Sequence, residues 1–154
     1  MERPGVPGGE DHVAVGPEPI DPSRVAALVA EPGVGAIAVF LGTVRDHAPG
    51  KEGVTHLEYE AYSDVVESKI AEVVSEARSR WPIRRTAVLH RVGSLPVGEI
   101  SVGVAVGAAH RQEAFDAARY LIDEVKARAP IWKKEHWPGG AEWVREGPGG
   151  GPDG

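Results

Sequence analysis

The amino-acid sequence predicts an α+β domain with two main helices and mostly antiparallel strands. Three observations carry this. Residues 63–80 and 111–128 repeat apolar side chains at the spacing of an amphipathic helix. Around them lie β-branched or strictly alternating runs of strand length. The two kinds of segment follow one another irregularly, unlike the regular strand–helix–strand repeat of a parallel α/β sheet. A chain of 154 residues fits one core and leaves little room for a second.

Taken in order, residues 1–11 and 147–154 are rich in Gly and Pro and lack an apolar pattern, so both are expected to be flexible tails around a single domain at 12–146. Asp21 as N-cap and Pro22 at the first helical position start a short helix. "GAIAVFLGTVR" is expected to be a mostly buried strand, and "DHAPGKEG" a polar loop. "VTHLEYEAY" alternates Leu57, Tyr59 and Ala61 against His56, Glu58 and Glu60, the pattern of a half-buried strand. Ser63 is expected to cap a helix through about Arg80, with Val66, Ile70, Val73, Val74 and Ala77 on one face. "RRTAVLHRVG" and "EISVGVAVGAAH" read as two strands joined by "SLPVG". A second long helix runs from Arg111 to about Arg128 with Ala114, Phe115, Ala118, Leu121, Ile122 and Val125 as its stripe, and Pro130 ends it. "IWKKEHW" and "AEWV" close the domain as strands around a "PGG" turn.

Charge and composition narrow the function. The net charge of −6 argues against a nucleic-acid partner, which requires a basic footprint. No apolar run approaches the length of a membrane span, and the first residues have no signal-peptide pattern, so a cytoplasmic location is expected. The absence of cysteine excludes disulfides, thiolate metal sites and cysteine nucleophiles. The arginines between Arg78 and Arg85 read as solvated faces, whereas local basic clusters on an acidic chain suit a small anion.

Three stretches carry candidate chemistry. In "GAAHRQEAF" a strand ends and a helix starts at His110 and Arg111. A helix N-terminus offers unpaired N–H groups and the positive end of the helix dipole, and arginine holds phosphate through two parallel hydrogen bonds. The plainer reading is a His–Arg pair at a surface cap. In "KARAPIWKKE" helical winding sets Lys126 near the azimuth of Phe115, at the edge of the apolar stripe, where partial desolvation favours acid–base or amine chemistry. Beyond Pro130, alternation sends Lys133 to one face and Trp132 and Lys134 to the other. The plainer reading is lysines whose stems cover apolar surface. In "VFLGTVRDH" Arg45 follows a strand and opens a loop, a common place to project a functional side chain, with a rim salt bridge to Asp46 or Glu52 as the alternative. His47, His56 and His90 show no metal-ligand spacing, so neither a metal nor a cofactor is expected.

Together, "VFLGTVRDH", "LEYEAY", "RWPI…AVLHRVGSLPVGE", "AAHRQEAF" and "KARAPIWKKE" resemble the large, catalytic subunit of molybdopterin synthase, over about Val13 to Val144. The resemblance implies an α/β hammerhead-like domain with an added antiparallel sheet. It implies a sulfurtransferase that converts cyclic pyranopterin monophosphate to the molybdopterin dithiolene in molybdenum cofactor biosynthesis. Sulfur would arrive as the C-terminal Gly-Gly thiocarboxylate of a small ubiquitin-like subunit, with a homodimer of large subunits at the centre of a heterotetramer. It also implies roles: Lys126 and Lys133 catalytic, His110 and Arg111 on the pterin phosphate, Arg45 and Phe40 at the same pocket, and Glu135 orienting a lysine. The alternatives are a non-catalytic scaffold of the same fold that binds a ubiquitin-like tail, or an unrelated transferase acting on a phosphorylated small molecule.

Overall fold

The computed structural model describes residues 11–145, so the expected tails lie almost wholly outside the described residues. Thirteen elements follow in order: β1 (Asp11–Gly16), α1 (Pro22–Ala27), β2 (Ala36–Thr43), β3 (His47–Ala48), β4 (Lys51–Glu52), β5 (His56–Glu60), α2 (Ser63–Arg80), β6 (Ile83–Arg91), β7 (Gly93–Pro96), β8 (Ile100–Ala108), α3 (Arg111–Arg128), β9 (Trp132–Trp137) and β10 (Gly140–Arg145). They form a sheet in the order β1-β6-β8-β2, a second sheet in the order β10-β9-β5-β7, and a small β3-β4 hairpin. Only the β1–β6 pair is parallel among these ladders. The expected α+β class and the added antiparallel sheet are both present.

The first sheet is covered on two sides, which explains why β8 reads as an almost unbroken apolar run. On one side Val88, Val104 and Val106 meet Val66, Ile70 and Val73 of α2 and Leu121, Ile122 and Val125 of α3. Each such side chain contributes roughly 1.5–3 kcal/mol on burial. On the other side Ala87, Leu89 and Ala105 meet Ile20, Val25 and Val29. Gly107 makes that contact possible, because a Cβ there would stand 2.4 Å from the Val29 carbonyl oxygen.

Several expectations change. Asp11, placed in a tail, opens β1 and accepts hydrogen bonds from Thr86 and Arg78. The mid-chain arginines are not merely solvated: Arg78 pairs with Asp11, Arg84 with Glu31 and Arg91 with Glu99. Ser63 does not cap α2. Tyr62 holds the N-cap position without a side-chain bond, so the burial of Val66, Ile70 and Val73 places the helix, not a hydroxyl. "SLPVG" is largely strand, since β7 pairs with β5. "DHAPGKEG" forms the β3–β4 hairpin around Pro49 and Gly50, whose φ of 75° suits glycine at a tight turn. Phe115 is 66% exposed, and Ala117 takes its place in the stripe. The expected burial of β2 also fails. It is the edge of its sheet, and Ile37, Val39 and Phe40 are exposed. Apolarity records what a strand face tolerates, not which neighbour the chain itself supplies.

Candidate active site

Where β2 gives way to its loop, a cavity of about 350 Å³ opens between the two sheets and the end of α3. Its size is that of a small-molecule pocket. Phe40, Arg45, Lys126, Lys133 and Glu135 all line it, together with Tyr59 and His90. Five of the seven residues expected from the sequence are thus gathered from β2, the following loop, α3 and β9.

Each side chain gets there for a local reason. Lys126 lies in the last turn of α3 beside buried Val125 and is half-buried. Ala129 leaves the helix in extended conformation and Pro130 follows, so the chain turns before β9 begins. Alternation along β9 then points Lys133 and Glu135 inward, at 7% and 3% exposure, while Trp132 stays 48% exposed. Arg45 lies past the end of β2, and its Nε donates to the His47 carbonyl at 2.9 Å. Asp46 pairs with His47.

The buried charges are connected. Glu135 Oε2 lies 3.7 Å from Lys133 Nζ, and Glu135 Oε1 lies 2.5 Å from Lys51 Nζ. Lys51 also meets Glu142 at 2.6 Å and stands over the Trp137 ring at 5.3 Å. Burial opposes its charged form, yet the hydrogen bonds it donates to Glu135 and Glu142 outweigh that and hold its pKa above the ordinary lysine value. Lys51 therefore stays cationic beside the pocket. Sequence reasoning missed it because the hairpin that delivers it was read as loop; the Pro49-Gly50 pair was the available signal.

His90 was considered only as a metal ligand and dismissed. It is buried, its Nδ1 lies 2.7 Å from the Arg91 carbonyl, and its ring packs edge-on to Tyr59. A carbonyl only accepts, so Nδ1 carries a proton.

His110 and Arg111 do not join this group within one chain. They border a separate depression with Gly35 and Ala36, at the opposite end of α3. Fifteen residues of helix separate Arg111 from Lys126, about 22 Å along the axis. His110 is the N-cap without a side-chain capping bond, and its Nδ1 lies 3.5 Å from Glu113.

Two lysines from different elements line one partly enclosed cavity, with an arginine beside them, and this charge suits an anionic small molecule. Comparison with known proteins gives the family. The chain belongs to the MoaE protein family, whose model matches residues 15–128. The molybdopterin synthase catalytic subunit of Halalkalibacterium halodurans is 42% identical over 131 residues, covering 85% of this chain and 83% of that one. Molybdopterin synthase from Staphylococcus aureus, known from its crystal structure, superposes with a TM-score of 0.79 at 37% identity, over 84% of this chain and 94% of that one. A complex of subunits 1 and 2 of the molybdopterin-converting factor from Helicobacter pylori shares the fold, with a TM-score of 0.66 at 18% identity over 86% and 88% of the two chains. Among the described residues no helix is long and apolar enough to cross a membrane.

Proposed function

We propose that this chain is the catalytic subunit of a molybdopterin synthase, a sulfurtransferase of molybdenum cofactor biosynthesis, with residues 12–146 acting as one catalytic domain in the cytoplasm. The convergence of Lys126 and Lys133 on one cavity carries the reading. The substrate is cyclic pyranopterin monophosphate, and the sulfur donor is the C-terminal thiocarboxylate of a small ubiquitin-like subunit. A cysteine-free chain suits a reaction whose sulfur comes from a partner.

The two lysines differ in a way that divides the work. Lys133 is buried on a strand with Glu135 3.7 Å away, so its amine is held in place, suited to stabilise negative charge as sulfur adds. Lys126 is half-buried in a final helical turn, a position suited to carrying a proton or engaging the partner's acyl terminus. Arg45 and Phe40 supply a charged and an apolar contact at the rim.

His110 and Arg111 remain the pterin-phosphate contacts in this reading, and the length of α3 then requires a second copy. One chain brings the lysines, its dimer mate the His-Arg end. Exposed Ile37, Val39 and Phe40 on the edge strand of the sheet, with Phe115 nearby across a shallow apolar groove, suit such an interface. A small subunit at each end completes a heterotetramer.

The test is a single-turnover assay with thiocarboxylated small subunit and cyclic pyranopterin monophosphate, reading the dithiolene as its fluorescent oxidised derivative. Product formation is expected. Tight partner binding without product would leave a docking scaffold instead.

A further inference from the structure

The outer face of the second sheet, turned away from the catalytic cavity, carries a different cluster. His56 and His136 are direct register partners across the β5–β9 ladder. Glu58 lies two residues along β5 on the same face. One nitrogen from each imidazole and a carboxylate oxygen of Glu58 all lie within 4.8 Å of one another. The histidines stand eighty positions apart in sequence, so no linear spacing announces them. Antiparallel register alone brings them together.

We propose that His56, Glu58 and His136 form a binding site for a divalent transition cation of the zinc type, joining β5 to β9 behind the pocket. Two imidazoles and a carboxylate are a donor set that zinc accepts, leaving a further position for water. With bonds of 2.0–2.2 Å, a tetrahedral cation needs its donors about 3.4 Å apart. The Glu58–His136 pair, now 2.5 Å apart, would therefore open by about 0.9 Å, and the wider separations, at most 4.8 Å, would close by up to about 1.4 Å, within reach of side-chain rotations on a half-exposed face.

Two further contacts prepare the set. The Thr55 hydroxyl lies 2.9 Å from His56 Nδ1 and 3.4 Å from the His136 carbonyl. In the tautomer that donates from Nδ1 to this hydroxyl the lone pair stands on Nε2, the arrangement that outer-sphere partners give metal-bound histidines. Lys134 is the register partner of Glu58, yet its ammonium lies over the Trp143 ring, 5.6 Å from the centroid on the β10 side. Glu58 instead reaches His136 Nε2 at 2.5 Å. Coordination would replace that hydrogen bond by two bonds to the cation, the ring proton of His136 shifting from Nε2 to Nδ1. It would also turn the two rings out of their present stack, in which the planes lie 13° apart.

The site adjoins the catalytic lysines through alternation. Lys133 and Glu135 point inward from β9 while His136 points outward, so a cation here would pin the two strands that wall the cavity without entering it.

The experiment is a titration of the full, chelator-treated chain with zinc chloride, followed by calorimetry and by melting temperature. One cation per chain and a raised Tm are expected. His56→Ala, His136→Ala and Glu58→Gln should each weaken binding at least ~10-fold, since even outer-sphere partners of metal ligands are worth that much. His12→Ala on β1 should leave it unchanged. Circular dichroism of each metal-free variant establishes that it is folded, and Glu58→Gln keeps the shape of the side chain if an alanine variant is not. Failure to saturate, or equal affinity in folded His56→Ala, His136→Ala and Glu58→Gln chains, would overturn the proposal.

Discussion

Lys51 and Glu135 meet 2.5 Å apart beside the cavity that Glu135 lines, and the other oxygen of the same carboxylate faces Lys133. One buried acid thus stands between two lysines, one from a hairpin and one from a strand. Its position fixes where the Lys133 ammonium can rest.

Lys51→Met removes one partner of a pair whose side chains are 13% and 4% exposed. Breaking a buried pair costs about 3 kcal/mol, less here to the extent that Lys133 takes up the carboxylate. Urea denaturation should show the loss. In turnover, kcat should fall more than KM rises, because a misplaced Lys133 weakens transition-state stabilisation. Unchanged stability and unchanged kcat together would mean that the contact is incidental.

Lys126→Ala should abolish product while leaving affinity for the small subunit nearly intact. Single-turnover fluorescence and calorimetric partner binding measure the two separately. Full activity in the variant would remove Lys126 from the mechanism.

Arg111→Ala should raise the pterin KM with little effect on partner binding. Mixing it with Lys126→Ala chains asks where Arg111 acts. Random reassortment makes half the dimers mixed, and in each of these one pocket combines the unaltered Lys126 of one chain with the unaltered Arg111 of the other, so about a quarter of wild-type sites return. A pocket built within one chain would show no such recovery.

Stability towards acid should depend on Glu76. Hydrogen bonds from Arg128 and then Tyr120 lower its pKa from 4.5 to about 2. A depressed carboxylate stabilises the fold fully above its unfolded pKa and loses that contribution as pH falls towards about 2. Glu76→Gln should flatten the pH dependence of Tm between about pH 4.5 and pH 2. An identical slope in the two proteins would refute it.

Much of this was legible from local pattern. The α3 stripe, the stop at Pro130 and strand alternation were enough to expect Lys126 at the apolar edge and Lys133 turned opposite to Trp132. What stayed hidden depended on pairing between distant segments. Lys51 reaches Glu135 across eighty-four positions, and His56 reaches His136 across eighty. Asp11 was placed in the tail and the rest of β1 was given no element, because its parallel partner lies about seventy-five residues downstream. The β2 face misled for a different reason: its apolar residues are exposed in the single chain and suit a surface that only a second copy would cover.

The two-sidedness of β9 has an evolutionary consequence. A single inserted or deleted residue between Pro130 and Lys133 would exchange the faces, turning Trp132 or Lys134 into the cavity and both Lys133 and Glu135 out to water. Length changes in this stretch should therefore be purged while those beyond the Trp137 turn persist. This strand is expected to drift in sequence but not in residue count.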